Sequence, residues 1–550
     1  MKSLTRILDE ALERIIQKYK GTNFSTTQIC EETMEELKNQ IAIENALLPK
    51  ENKMKCPPDI PTHMIAVILM ELYDFVVLCR TTKLCSRSEC TVAFYEVSGE
   101  NEGLYISSTE VIFKKITQFN RTLTKTQIWQ VYEEILREAE VVYVNNDPDL
   151  IPLKNGVFHY KTKMLLPFSR DMVFVKKIPI DFNPLMNTAP VYKNNDGTEW
   201  NIDDWLLSLS DDPQTAHLLL QVCGAVLRPH AGWEEILFLY SAVGRNGKGT
   251  FCALLRELAG EGNYASISLK QMTRRFGLSQ LLDVSAVITD ENSVATEDII
   301  KDIENVKAIT TGDHIQLERK YKNPVDFQYK GIVVQCLNNL PQFSDQTSSM
   351  KRRMLFVSFP KTFTGCDNKA IKADYLHRKD TLEYIVWKVL ADMPDYYEFS
   401  VPEASKKLMG IYELETNLIK QFWEEFRDRF VWELLPGQFL YDLYKAWAEQ
   451  DMGVRNVEGK NTFLNVLRRI VDDDSEWEYF PTSVPLPDAF NLQAEYLLGE
   501  YNLVKWMNSR YYGADLKVKY QFTRISSISS PFRKISDIDK LGNPFRMDET

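Results

Sequence analysis

The stretch that decides the fold is ILFLYSAVGRNGKGTF, residues 236–251. Its first five residues form an apolar run typical of a buried parallel strand, and residues 251–258 have the pattern of a helix that stops before Gly260. A strand that runs through a glycine loop and a lysine into a helix is typical of a phosphate-binding loop. The loop amides, the helix N-terminus and the lysine all favour bound phosphate. The predicted nucleotide-binding residues are Gly244, Arg245, Asn246, Gly247, Lys248, Gly249 and Thr250.

The loop departs from the pattern G-x-x-x-x-G-K-[ST] at two positions. Ala242 stands where the first glycine belongs, and Gly249 stands where the hydroxyl residue belongs, so that Thr250 comes one position late. The alternative interpretation is a glycine-rich turn with a chance lysine. If the loop binds ATP, either Thr250 helps to hold Mg²⁺ or water alone does.

Three further groups of polar residues lie next to predicted strands. Two of these groups follow a strand, and the third precedes one. Asp290 and Glu291 come after the apolar run 284–289, and nucleotide hydrolysis needs one carboxylate for Mg²⁺ and another to orient water. Asn338 follows the run 331–337, where its amide could hold the attacking water. Each group has a plain alternative, a solvated turn or a basic surface cluster, but their order favours an ATPase. The predicted catalytic residues are Lys248, Asp290, Glu291, Asn338, Arg352 and Arg353, with the two arginines acting in trans, and the predicted metal ligands are Thr250 and Asp290.

These residues resemble the superfamily-three helicases, and more narrowly the phage, plasmid and poxvirus primase-helicase group. Residues 246–250, NGKGT, fit that group's loop N-G-K-[SG]-T, and residues 306–313, followed by 318–322, resemble its DNA-contacting region. The resemblance covers roughly residues 140 to 480, and the helicase of staphylococcal cassette elements is the nearest context it suggests.

The resemblance implies an AAA+ P-loop ATPase with ATP and Mg²⁺ as cofactors. It implies a homo-oligomer, a hexameric ring, that unwinds DNA in the 3'-5' direction during replication initiation of a mobile element or phage. A β-hairpin would present Arg319, Lys320 and Lys322 to single-stranded DNA. Primase activity is not expected, because Asp147 and Asp149 match a catalytic Asp-x-Asp pair only formally. One alternative is an origin-binding initiator that uses ATP as an assembly switch, and another is an ATP-dependent regulator without a nucleic-acid role.

The predicted fold class is multidomain α/β, with a parallel sheet flanked by helices. The expected divisions are a mainly helical or mixed region over 1–140, a segment preceding the ATPase over 141–230, the ATPase over 231–390 and a winged-helix domain over 400–550. In the last domain, Lys460, Arg468 and Arg469 fall on one helix that would bind DNA, including double-stranded origin DNA, while Lys517, Lys519 and Arg524 would form a wing. A solvated basic face is the alternative.

Composition excludes several classes of protein. Apolar residues make up 44% and charged residues 26% of 550 residues, which is ordinary for globular domains and excludes a fibrous or largely disordered chain. Lys and Arg number 65 against 77 Asp and Glu, so any DNA contact must be local. Segment 64–80 carries two acids and predicts a buried helix rather than a membrane span. Cys56, Cys79, Cys85 and Cys90 lack the spacing of a zinc site, which favours structural thiols in a cytoplasmic protein.

Overall fold

The computed structural model divides the chain into two compact units, residues 1–405 and 406–550. The residues it describes are 3–80, 87–194, 196–274, 277–292, 299–300, 303–319, 322–343, 348–364, 368–472, 474–479, 484–485, 493–521, 527–528 and 531–535. A mixed α/β architecture with several sheets is confirmed. None of the described helices is long and apolar enough to cross a membrane.

The N-terminal part of the first unit packs helices on a four-stranded sheet. Its elements are α1 (Leu4–Tyr19), α2 (Thr26–Ala46), α3 (Thr62–Leu72), β1 (Phe75–Cys79), β2 (Thr91–Tyr95), β3 (Tyr105–Ile106), α4 (Thr109–Phe119), α5 (Lys125–Glu138) and β4 (Val141–Tyr143). The sheet order is β3-β2-β1-β4, and apolar side chains from α1, α2, α3 and α5 bury against β1 and β2.

The prediction of one helix over 64–80 is wrong. Helix α3 ends at Leu72, Asp74 adopts a left-handed conformation with φ 53°, and β1 begins at Phe75. All five residues of β1 are buried, and its Val-Val pair favours extended backbone over helix. At the end of β1, Cys79 is disulfide-bonded rather than a free thiol, whereas Cys56 is a free thiol and Cys90 is buried.

Short strands and two helices connect this part to the central sheet. They are β5 (Leu150–Leu153), β6 (Gly156–His159), β7 (Met164–Leu166), β8 (Tyr192–Lys193), β9 (Glu199–Trp200), α6 (Ile202–Ser208) and α7 (Pro213–Leu227). Strands β5, β6 and β7 form an antiparallel sheet. Helix α7 buries ten residues, so it is a core helix of the unit.

The central sheet has five parallel strands. The region contains β10 (Ile236–Tyr240), α8 (Lys248–Ala259), β11 (Tyr264–Ala265), α9 (Leu269–Met272), β12 (Ala286–Thr289), β13 (Ile299–Ile300), α10 (Glu304–Thr311), β14 (His314–Arg319), β15 (Lys322–Gln328), β16 (Ile332–Leu337), β17 (Gln342–Phe343), α11 (Ser348–Lys351), β18 (Met354–Ser358), α12 (Lys369–Ala373) and α13 (Lys379–Trp387). The order of the sheet is β11-β12-β16-β10-β18. Helix α14 (Glu403–Thr416) follows.

The second unit has its own aromatic-rich core. It contains α15 (Leu418–Phe426), β19 (Leu434–Leu435), α16 (Gly437–Gln450), α17 (Lys460–Asp472), β20 (Trp477–Tyr479), β21 (Val484–Pro485), α18 (Leu497–Glu500), α19 (Leu516–Lys519), β22 (Ser527–Ile528) and β23 (Phe532–Lys534). Strands β19, β23 and β20 form an antiparallel sheet, while α15, α16 and α17 contribute buried Trp, Phe and Leu side chains to the core.

Candidate nucleotide-binding site

Strand β10 lies at the point where the order of the parallel sheet reverses. Its neighbours are β16 and β18, both later in the chain, because the chain leaves β10 through α8 for the edge strand β11 and returns by way of β12. In open α/β sheets, ligands bind at such a point, beyond the carboxyl ends of the strands. The loops after β10, β12 and β16 therefore share one crevice.

Two left-handed residues and one side-chain brace determine the shape of the loop after β10. Arg245 and Gly247 both have left-handed φ angles, 56° and 87°. The Asn246 side chain donates to the Val243 carbonyl and accepts a hydrogen bond from the Lys248 N–H at 3.2 Å. The φ of 87° favours glycine at position 247, where a Cβ would also lie 2.5 Å from Leu209 Cδ2 and force that side chain to shift. Asn246 is thus a structural brace of the loop.

Lys248, the first residue of α8, is buried and points at the ends of two strands. Its Nζ donates to the Leu337 carbonyl at 2.6 Å, to Asn338 Oδ1 at 2.8 Å and to the Ser241 carbonyl at 3.2 Å. Burial lowers its pKa. All three acceptors are neutral, so when protonated the ammonium keeps a full positive charge beside the helix N-terminus.

The predicted residue Asn338 therefore lies within hydrogen-bond distance of Lys248. A second amide, which the sequence analysis missed, organises the same edge. Asn292 donates to Gln335 Oε1 at 2.9 Å and to the Cys336 carbonyl at 3.1 Å, and Gln335 in turn donates to the Ile267 carbonyl. This network ties the loop after β12 to β16. Asn292 directly follows the predicted acidic pair, and this position was the only feature of the sequence that could have identified it as part of the site.

The two predicted acids have different surroundings. Glu291 is exposed, whereas both oxygens of Asp290 are held by the guanidinium of Arg256 on α8, at 2.8 and 2.5 Å. Arg256 was not identified from the sequence, although it is the one basic residue within the apolar run 251–258. Thr250 is half-buried in the first turn of α8. The hydroxyl of Thr250 and the carboxylate of Glu291 are oxygen donors of the kind Mg²⁺ prefers, whereas both oxygens of the predicted ligand Asp290 already accept hydrogen bonds from Arg256.

The two predicted arginines lie at the opposite end of the sheet. Arg353 immediately precedes β18, and its carbonyl accepts a hydrogen bond from the Ile236 N–H at the start of β10. Five residues of strand separate that end from the phosphate loop, which is about 17 Å. Arg353 is buried and donates to Ser349 Oγ at 2.8 Å and to the Ser349 carbonyl, whereas Arg352 is exposed. Neither arginine approaches its own chain's Lys248.

The predicted DNA-contacting region includes a β-hairpin. Strands β14 and β15 are antiparallel, and Arg319 pairs with Lys322. Lys320 and Tyr321 lie outside the described residues. Strand β14 ends at Arg319 and β15 begins at Lys322. The hairpin joins β16 at its amino end, the end of the sheet where Arg353 lies.

Helix α17 of the second unit carries the predicted basic face. Phe463, Leu467 and Val471 are buried, and Lys460, Arg468 and Arg469 are exposed. The Arg468 guanidinium lies 4.8 Å from the centre of the Tyr479 ring on β20. The wing prediction at 517–519 is wrong, since Leu516–Lys519 forms a short helix capped by Asp515; Arg524 lies outside the described residues.

Asp149 is buried, and its contacts are those of a residue that stabilises the fold. It is 5% exposed, accepts a hydrogen bond from the Tyr397 hydroxyl at 2.6 Å and pairs with Lys161 at 2.7 Å. Although burial opposes ionisation, the hydrogen bonds from Lys161 and Tyr397 lower its pKa overall. The Asp147 side chain accepts from the Asp149 N–H, which shapes the turn.

Three family models match separate segments of the chain. Residues 4–207 match the model described as D5 N terminal like, and residues 414–503 match the one described as Poxvirus D5 protein-like. Residues 239–353, which include the phosphate loop, match a family of unknown function, DUF5906. The two D5 matches support a relationship to the D5-like primase-helicases of phages and poxviruses.

Solved structures of the NrS-1 C-terminal region are similar to this chain. One apo form has 13% sequence identity and a TM-score of 0.43, over 77% of this chain and 96% of that chain. A second apo structure of this region has 13% identity and a TM-score of 0.44 over the same shares. A third has 14% identity and a TM-score of 0.43, over 74% of this chain and 94% of that chain.

Proposed function

We propose that this chain is an ATP-driven DNA helicase that acts as a homo-oligomeric ring in the replication of a phage, virus or mobile element. The observation that carries the proposal is the position of Lys248, whose Nζ bridges the ends of β10 and β16 and contacts Asn338. A fixed cation and a polar amide at a sheet switch point are what phosphoryl transfer to water requires. The D5 matches support the replication context.

In this proposal the chain's own groups bind the triphosphate and orient water. The loop amides and the N-terminus of α8 hold the phosphate oxygens, and Lys248 neutralises charge on the β and γ phosphates. The exposed carboxylate of Glu291 accepts a proton from the attacking water or orients it, while the Asn338 amide holds that water from the β16 side. When bound, Mg²⁺ would be held by oxygen donors that include Thr250, and it would neutralise phosphate charge.

The site is completed by a second copy of the chain. Arg352 is exposed at the far end of the sheet, so it acts on the nucleotide of a neighbour rather than its own. Arg353 supports the fold, because its buried guanidinium bonds to Ser349 of the same chain. A head-to-tail ring, a hexamer by resemblance, gives every copy one such neighbour.

DNA contacts are proposed at two places. The hairpin β14/β15 contributes Arg319, Lys320 and Lys322 to a central channel for single-stranded DNA, on which movement is 3'-5' by resemblance. The second unit is proposed to be a winged-helix domain, since α15, β19, α16, α17 and β20 follow in that order and β23 completes a sheet of order β19-β23-β20. Its α17 would then lie in the major groove of duplex DNA.

The exposed face of α17 favours a second candidate function, an origin-binding initiator in which ATP switches assembly without sustained unwinding. Asn461, Asn465 and Arg469 are exposed on this helix, and amide and guanidinium groups are those that read base edges.

A strand-displacement assay separates the two candidates. The helicase proposal predicts that a forked duplex is unwound with ATP but not with a non-hydrolysable analogue. Lys248→Ala should fail and the control Lys369→Ala, an exposed residue on α12, should be active. ATP-dependent assembly on duplex with no displacement by the wild type would instead support the initiator.

A further inference from the structure

Arg256 and Asp290 form a two-pronged ion pair between α8 and the end of β12. Arg256 Nη1 donates to Asp290 Oδ2 at 2.8 Å, and Nη2 donates to Oδ1 at 2.5 Å. Such parallel contacts are the strongest geometry for an arginine and a carboxylate. The side chains are only 20% and 35% exposed, so solvent screens the pair less than a surface pair.

The guanidinium is fixed by more than the carboxylate. Its Nη2 also donates to the Ile288 carbonyl at 3.2 Å, and its carbon lies 5.7 Å from the centre of the Tyr264 ring. These contacts join α8 to β11 and β12, three elements that define one side of the crevice. The pair therefore sets where β12 ends relative to the phosphate loop.

This arrangement conflicts with Asp290 as a magnesium ligand. Each Asp290 oxygen already accepts a hydrogen bond from a cation, and a divalent ion on the same carboxylate would stand close to the guanidinium charge. Glu291, the next residue, is exposed and follows the same strand end. The conflict is resolved if Asp290 and Glu291 have different roles.

We propose that Asp290 is a positioning residue held by Arg256, and that Glu291 alone of the two acids serves the nucleotide and its magnesium. The inference rests on the proposed ATPase function. It identifies Arg256 as a residue on which hydrolysis depends although it touches neither nucleotide nor metal. Arg256 and Asp290 then behave as one unit, and Glu291 behaves independently of them.

The test combines a double-mutant cycle with a magnesium titration. Asp290→Asn, Arg256→Gln and the double variant are compared by thermal melting, by kcat for ATP, and by the Mg²⁺ midpoint for binding a fluorescent ATP analogue. Each single variant should lower the melting temperature and reduce kcat by roughly 10- to 100-fold, and the double variant should be no worse than either single one. The Mg²⁺ midpoint should stay unchanged in all three.

Glu291→Gln gives the opposite pattern. Its melting temperature should equal that of the wild type, kcat should fall by roughly 100- to 10,000-fold, and the Mg²⁺ midpoint should rise. Arg256→Lys keeps the charge and one hydrogen bond, and should recover part of kcat if Arg256→Gln folds poorly. The matched control is Asp374–Arg378, another two-pronged pair with distances of 2.9 and 2.6 Å, whose Asn and Gln variants should leave kcat and the Mg²⁺ midpoint unchanged.

Two results would overturn the inference. One is a rise of about 10- to 100-fold in the Mg²⁺ midpoint for Asp290→Asn with none for Arg256→Gln, the behaviour of a direct metal ligand. The other is additive loss of melting temperature in the double variant. A wild-type protein without ATPase activity would instead contradict the proposed function, and the melting cycle would still decide whether the pair acts as a unit.

Discussion

The two ends of the central parallel sheet differ in chemistry. At the carboxyl end, Lys248 and Asn338 are in direct contact, and the other partners of the lysine are carbonyl groups at the strand ends. At the amino end lie the exposed Arg352, the buried Arg353 and the hairpin β14/β15. In the proposed function, the first end binds the triphosphate and the second contacts anions of other molecules.

One chain therefore contains both halves of the proposed site, but the two halves lie at opposite ends of the sheet. The sheet is rigid and about 17 Å separate its ends along β10. An arginine at the amino end can reach a triphosphate only in another copy. The same separation would place the proposed DNA contacts and ATP contacts at opposite ends of one sheet.

The largest effect is expected at the carboxyl end. Lys248→Ala should reduce ATP hydrolysis by at least about 100-fold, because the triphosphate loses its fixed cation. Steady-state phosphate release measures the change, with Lys369→Ala as the control and a melting curve to verify folding. Hydrolysis within a few-fold of the wild type would remove the carboxyl end from the proposed function.

Substitutions at the amino end should impair DNA-dependent activities rather than basal ATP hydrolysis. Lys320→Ala combined with Lys322→Ala should eliminate unwinding and DNA-stimulated ATPase activity while basal hydrolysis survives, because neither lysine is assigned to the nucleotide. The salt dependence of single-strand binding should flatten by roughly 0.7 in log–log slope for each DNA phosphate that the variant no longer neutralises. Unchanged unwinding by this variant would refute a DNA role for the hairpin.

The smallest effect is expected in the second unit. Arg468→Ala with Arg469→Ala should weaken duplex binding, reduce its salt slope by about 0.9 for each phosphate that these arginines neutralise, and leave basal hydrolysis unaffected. Arg455→Ala is the matched control, since that side chain is 86% exposed in the same unit. Equal duplex affinity for both variants, measured by fluorescence anisotropy, would favour a solvated face on α17.

Local patterns in the sequence predicted the strand, loop and helix at the carboxyl end of the sheet, where the nucleotide is proposed to bind. The strand, loop and helix around Lys248 are contiguous, so the residues that form them are visible in one window. Asn338 directly follows an apolar run and could be placed for the same reason. The contact between Asp290 and Arg256 could not be predicted, because Arg256 reaches Asp290 only once α8 packs against β12.

Short apolar segments were the source of the incorrect predictions. Segment 64–80 is apolar throughout most of its length, and apolar residues alone do not distinguish a helix from a buried strand. Its division at Asp74 depends on the pairing of β1 with β2 and β4. At 517–519, alternating lysines predicted a strand, but capping by Asp515 starts a helical turn.

Mixing two inactive subunits tests most directly whether the two ends of the sheet make one site between copies. Lys248→Ala and Arg352→Ala subunits are mixed in equal amounts, and ATP hydrolysis is measured on rings whose assembly is verified. In a head-to-tail ring, about one quarter of the interfaces would combine an intact Lys248 with an intact Arg352, so activity should return to about that fraction of the wild type. Mixing Lys248→Ala with a chain carrying both substitutions should recover nothing. No recovery in assembled rings of the first mixture would contradict the account.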